Sequence, residues 1–153
     1  MPKKRDENLL HNLRHTAAHL LAHAVLNLYG PKVKFGIGPV IESGFYYDFE
    51  FPKPISDTDL PKIEAEMRRL IKQNLKMKKE AHTFAEAKKF FQGQPYKLEL
   101  LQGIEKGKAS FYRIGNFLDL CKGGHVKSSK EIPADAFKLT YLAGAYWKGD
   151  EKN

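Results

Sequence analysis

Glu7-Asn8-Leu9-Leu10-His11-Asn12-Leu13-Arg14-His15-Thr16-Ala17-Ala18-His19-Leu20-Leu21-Ala22-His23-Ala24-Val25-Leu26-Asn27-Leu28-Tyr29 reads as one long helix. Leu10, Leu13, Ala17, Leu20, Leu21, Ala24 and Leu28 recur at helical spacing and define a core-facing stripe. Gly30-Pro31 ends it. Histidines stand at 11, 15, 19 and 23, so neighbouring pairs lie about 5–6 Å apart at Cβ. At about 100° per residue, His15 and His19 point roughly opposite the Leu13, Ala17, Leu20 and Ala24 stripe. Their own side carries Ala18, Ala22 and Leu26, and no Asp, Glu, Lys or Arg lies between His15 and Pro31. A helix apolar on both faces is covered on both faces. The expectation is a helix with its back in the core and His15 and His19 lining a cleft. His11 and His23 sit at the edges of the stripe, where plain packing is the favoured reading.

A second cluster stands about a hundred residues on, in Asp119-Leu120-Cys121-Lys122-Gly123-Gly124-His125. The two glycines permit a tight turn, so Cys121 and His125 can converge. With His15 and His19 they form a His3Cys set with metal-ligand chemistry. Four protein ligands would close a zinc site and make it structural. A catalytic zinc needs an open position, and without metal a histidine could activate water directly. Spacing alone leaves these three open.

The chain has 153 residues, is 42% hydrophobic, and contains a single cysteine, Cys121. A domain of this size buries roughly 70% of its unfolded surface. No apolar run approaches the ~18 residues of a membrane span, and the N-terminus has no stretch fit for a signal peptide. One cysteine excludes an internal disulfide and fits a reducing, cytoplasmic setting. Lys and Arg total 26 against 18 Asp and Glu, a formal charge of +8. That balance favours a polyanionic partner, nucleic acid first.

After the first helix, Val33 to Ile41 and Phe45 to Phe51 read as two strands joined at Glu42-Ser43-Gly44. A helix from about Asp57 to Lys76 follows, with one apolar face of Leu60, Ile63, Met67, Leu70, Ile71 and Leu75. Lys78 to His82 fits a short strand. Thr83 and Glu86 form a capping-box pair opening a short helix, and Pro95 to Gln102 holds further helical turns. Ser110 to Ile114 and Phe117 to Leu120 read as strands, and Phe137 to Trp147 as a last strand. The fold class is α+β, a mostly antiparallel sheet packed with helices, with the long N-terminal helix beside a cleft. Residues 1–6 read as a loose leader, 7–150 as a single domain and 151–153 as a tail. Gly36-Ile37-Gly38-Pro39 is not a dinucleotide loop, since Ile41 stands where the third glycine belongs and no helix follows. Arg68-Arg69 and Lys76 to Lys79 read as a solvated face, suited to phosphate contacts if they border the cleft.

Several blocks together carry a resemblance. They are Arg14 to Ala24, Phe35-Gly36-Ile37-Gly38-Pro39-Val40, Gly44-Phe45-Tyr46-Tyr47-Asp48, Asp119 to His125 and Leu142 to Asp150. In this order, over about residues 8 to 150, they resemble the editing domain of bacterial threonyl-tRNA synthetase, of the threonyl/alanyl second-additional-domain family. The Gly-Phe-Tyr-Tyr-Asp and Ala-Gly-Ala-Tyr-Trp blocks point to the threonyl branch. The resemblance implies proofreading: hydrolysis of serine wrongly esterified to tRNA(Thr). It implies that His15, His19, Cys121 and His125 line the pocket, that Lys97 is the catalytic lysine and that Asp119 is a pocket aspartate. It places Gly38 and Tyr47 near the substrate amino acid and terminal adenosine.

The chemistry has a physical motive. Serine and threonine differ by one methyl, and a pocket discriminates such a group by only ~1–3 kcal/mol. The roles expected are His15 or Lys97 activating water, and Cys121, His125 and His19 holding the serine end and excluding the extra methyl. Lys97 could also stabilise the oxyanion. Zinc on the quartet stays open: the resemblance implies it for the alanyl branch, the threonyl branch is similar in ligands, and no cofactor is taken as required. The partners implied are the tRNA(Thr) acceptor 3′ end and the catalytic and anticodon-binding domains of a homodimeric parent, with no membrane. The ending after Lys148-Gly149-Asp150 reads as a truncation point. A free-standing trans-editing protein and a zinc-binding acceptor-end module without hydrolysis are the alternatives.

Overall fold

The computed structural model describes residues 2–42, 44–104, 109–121, 125–133, 135 and 137–139. Its first element, α1, spans Pro2–Tyr29. The helix therefore starts before the expected Glu7, and residues 2–6 are helical rather than a loose leader. Pro2 suits a first turn, and the Lys, Arg and Glu that follow are good helix formers. Every residue from Thr16 to Val25 is buried, while Leu9 and Leu10 at the earlier end are exposed. The coverage expected on both faces is thus present, but only along the middle of the helix.

One face of α1 packs on α2 (Leu60–Lys72). Leu20 and Val25 meet Ile63, Met67 and Leu70 in the main core, and all five are essentially inaccessible. Each such large side chain contributes on the order of 1.5–3 kcal/mol by leaving water. A 3-10 turn at Asp57–Asp59 leads into α2, and Pro61 sits in its first turn. The helix stops at Lys72, short of the expected Lys76, because Asn74 adopts a left-handed φ of 54°. Ser129, wholly buried, seals that end by bonding the Leu75 amide and the Leu70 carbonyl at 2.8 and 3.0 Å.

The two strands expected between Val33 and Phe51 are four short ones. β1 (Lys34–Phe35) pairs antiparallel with β4 (Phe49–Glu50), and β2 (Val40–Ile41) pairs with β3 (Gly44–Phe45). Between the pairs the ribbon continues through sparser bonds, Asp48 N to Ile37 O at 2.8 Å and Tyr46 N to Pro39 O at 3.3 Å. Pro39 has no amide hydrogen to complete the ladder. Ser43 of the expected turn lies outside the described residues.

β5 (Met77–Glu80), β6 (Phe111–Ile114) and β7 (Phe117–Leu120) form a three-stranded antiparallel sheet in that order. The short helices α3 (Phe84–Phe90) and α4 (Pro95–Gln102) are associated with a second cluster of Ala87, Phe91, Leu101 and Phe111. The Thr83–Glu86 capping box forms as the sequence indicates. Of the strand expected over Phe137 to Trp147, only 137–139 are described, and they are not strand. The α+β class with a long N-terminal helix holds. No helix among the described residues is long and apolar enough to cross a membrane.

His23 belongs to the core, as the packing reading anticipates. Gly115 turns β6 into β7 with φ +58°, and a Cβ there would come within 2.8 Å of His23 Nε2. Burial pushes the His23 pKa below its ordinary 6.5, so the fold holds it neutral while the unfolded chain takes up a proton near 6.5. Its stabilising effect is full above about pH 6.5 and is lost as pH falls below that, by at most ~1.4 kcal/mol per pH unit. In His23→Gln the urea midpoint should fall less steeply than in the parent between about pH 7 and pH 5. Equal slopes would mean that His23 titrates normally in the fold.

Candidate active site

The histidine face of α1 meets the end of β7. His15 is half-buried and His19 only 4% exposed, with ring centres 4.9 Å apart. His125 stacks on His15 at 4.2 Å and sits 4.7 Å from His19. Cys121 follows β7 directly, and its Sγ lies 3.6 Å from His125 Nε2. Lys122, Gly123 and Gly124 of the expected turn lie outside the described residues, but the ends they join do converge. One donor atom from each of His15, His19, Cys121 and His125 falls within 4.8 Å of the others. His11 is exposed, with its ring centre 5.9 Å from that of His15.

Beneath this quartet lies a buried polar network. Asp119 alternates inward on β7 and is 2% exposed. Its Oδ2 takes His19 Nδ1 at 2.9 Å and the Tyr47 hydroxyl at 2.8 Å. Its Oδ1 pairs with Lys97 Nζ and also accepts from the Leu120 amide at 2.8 Å. Lys97, 3% exposed on α4, donates a second bond to the Tyr47 oxygen at 2.8 Å. Burial alone would raise the Asp119 pKa. The Lys97 charge and the His19 contact outweigh that and hold the carboxyl well below the usual carboxylate range. Burial and the Asp119 charge push the Tyr47 phenol far up, so it stays a proton donor.

Gly38 lies where the ribbon is interrupted. A Cβ on it would stand 2.9 Å from Tyr47 Cε2 and 3.2 Å from Ala18 Cβ. The bare backbone is what lets the Tyr47 ring tuck against α1 with its hydroxyl on Asp119. The eight residues singled out in the sequence therefore converge, His19 being the link between quartet and network. Tyr47 is 7% exposed and its hydroxyl is already shared between Lys97 and Asp119.

Two neighbours were not singled out in the sequence. Thr16, wholly buried, accepts the Val126 amide at 3.1 Å and so ties α1 to the residue after His125. The Tyr112 ring packs 4.5 Å from that of His125. Strand alternation puts Tyr112 on the face opposite Phe111, which is the signal that could have found it. Arg68 and Arg69 pair with Glu64 and Glu66 along α2, as a solvated helix face does.

The quartet fits a metal ion in donor chemistry. Among the described residues, His19 Nε2 and His125 Nδ1 are buried without a partner. His19 Nε2 is backed by a carboxylate on its other nitrogen, the arrangement that orients a ligating imidazole. Tetrahedral zinc would hold its ligand atoms about 3.5 Å apart, so the group would contract to close on one. His125 also suits a neutral role. Burial first, then His19 and His15, push it down to about 3. It is therefore an unprotonated acceptor at neutral pH and a weak base.

Residues 109–153 match the model of the threonyl and alanyl tRNA synthetase second additional domain. A threonine--tRNA ligase of Dehalococcoides mccartyi (strain CBDB1) is 51% identical over 140 residues, covering 92% of this chain and 24% of the relative. That of Thermotoga maritima is 50% identical over 142 residues, covering 92% and 22%. That of Lawsonia intracellularis is 50% identical over 150 residues, covering 97% and 23%. The chain spans about a quarter of the length of these relatives. With its matched segment beginning beside β6 and carrying Asp119, Cys121 and His125, the chain belongs to the threonyl and alanyl tRNA synthetase second additional domain family.

Proposed function

We propose that this domain hydrolyses the ester of serine misattached to tRNA(Thr), the editing step of a threonyl-tRNA synthetase. The observation that carries the reading is the buried Lys97–Asp119–His19 network directly under the half-buried His15, Cys121 and His125. A buried cation beside a cluster of imidazoles suits an ester whose carbonyl oxygen becomes negative in the transition state. His15 accepts a proton from water as its oxygen attacks the ester carbonyl carbon. The bond from that carbon to the ribose oxygen breaks, and the ribose oxygen takes up the proton. Serine and tRNA(Thr) leave. Lys97 donates to Asp119 and to the Tyr47 oxygen, which suits oxyanion stabilisation better than proton removal. Asp119 fixes the His19 ring, and Cys121 with His125 packs against the serine side chain. Gly38 and Tyr47 shape the floor and hold Lys97.

The partners in this reading are the acceptor 3′ end of tRNA(Thr) and the catalytic and anticodon-binding domains of a homodimeric cytoplasmic synthetase. A second reading rests on the buried, unpartnered His19 Nε2. There the quartet holds zinc, and the domain binds the acceptor end without hydrolysis. Single-turnover deacylation of seryl-tRNA(Thr), with and without a chelator, separates the two. Hydrolysis above the buffer rate and indifferent to chelator is expected. Stoichiometric zinc with no hydrolysis would replace the first reading by the second.

A further inference from the structure

Gln94 occupies the N-cap of α4, yet its side chain makes no bond to its own helix. Ser, Thr, Asp or Asn is the usual choice there because each caps the free amides. The Gln94 amide is spent elsewhere. Its Oε1 accepts the Phe35 amide at 2.8 Å, and its Nε2 donates to the Val33 carbonyl at 2.9 Å. These groups lie on the edge of β1, whose registered partner β4 pairs on the other side. A carboxamide offers donor and acceptor in one fork, as a peptide group does. Gln94 thus docks the start of α4 onto β1 as a strand backbone would. Lys34 Nζ adds a bond to the Gly93 carbonyl at 2.9 Å.

The docking has a target one helical turn on. Lys97 is three residues from Gln94 and reaches Asp119 and Tyr47 inside the site. On the other side, Phe35, whose amide Gln94 holds, packs edge-on against the Tyr47 ring at 6.2 Å. One amide therefore fixes both the helix that carries Lys97 and the strand that backs Tyr47. We propose that Gln94 is a positioning residue for Lys97, setting its register against Asp119 and Tyr47. This rests on the deacylase reading given above.

The test compares Gln94→Glu and Gln94→Met with Ser129→Ala, which weakens a buried seal on α2 away from α4. A misplacement of about 1 Å can cost ~10²-fold in rate. Both Gln94 variants should lose about 10- to 100-fold in single-turnover deacylation of seryl-tRNA(Thr), with half-saturation by the tRNA little changed. Ser129→Ala should keep the parent rate while melting lower. The second readout is NMR of the Lys97 ammonium, which is buried and bonded to Asp119 and the Tyr47 oxygen. That resonance should broaden or shift in the Gln94 variants and persist in Ser129→Ala. Parent-like rates and an unchanged ammonium signal in both Gln94 variants would overturn the proposal. Rate loss in proportion to melting temperature across all three variants would also overturn it. A parent domain that does not hydrolyse the ester, with the ammonium still perturbed by Gln94→Glu, would sink the deacylase reading and leave the clamp standing.

Discussion

Lys97→Met is expected to cost about 3–5 kcal/mol of stability and to slow seryl ester hydrolysis by about 10²–10³-fold. Methionine fills nearly the same space, so packing on α4 is kept. What it removes is the cation beside a carboxylate that is 2% exposed. Asp119 would keep His19, Tyr47 and the Leu120 amide, but it would lose the strongest of the attractions that hold its charge, the ammonium of Lys97. The carboxyl would then be driven up by burial instead of held down. Chemical denaturation measures the first effect and single-turnover deacylation the second. Lys97→Arg should not rescue the rate, because a planar guanidinium cannot present the same point charge to both Asp119 and the Tyr47 oxygen.

Asp119→Asn should be comparably damaging by another route. The amide keeps the shape but can no longer accept at both oxygens. It leaves Lys97, 3% exposed, without a counter-charge, again a loss of about 3–5 kcal/mol. It also frees His19 to turn over or change tautomer, since the carboxylate on Nδ1 is what keeps Nε2 directed away from it. Hydrolysis should fall by ~10²-fold or more. A chemical-shift map of the His19 ring nitrogens would report the tautomer, and an unchanged ring in Asp119→Asn would contradict the orienting role.

How much of this the sequence disclosed varies from residue to residue. The spacing of Leu13, Ala17, Leu20 and Ala24 against His15 and His19 separated the two sides of α1 correctly, because helical period is a local property. It underestimated depth. His19 does not merely line a cleft but is buried against Asp119, a partner a hundred residues away that no local pattern reveals. The interruption of the ribbon at Gly38 and Pro39 was missed because alternation in Val33 to Ile41 and Phe45 to Phe51 suits unbroken strands. The break depends on the missing Pro39 amide and on room for the Tyr47 ring. Lys97 was found through family resemblance alone. Lysine is ordinarily exposed, and nothing in Pro95 to Gln102 says which residue turns inward. Gln94 was invisible for a related reason: its amide replaces a strand neighbour, and that edge exists only in the folded molecule.

The account stands or falls on selectivity. Single-turnover hydrolysis of seryl-tRNA(Thr) and threonyl-tRNA(Thr) by this domain should show the seryl ester cleaved faster, by the ~10–200-fold that one methyl allows. Equal rates on the two esters, or no rate above buffer on either, would contradict it.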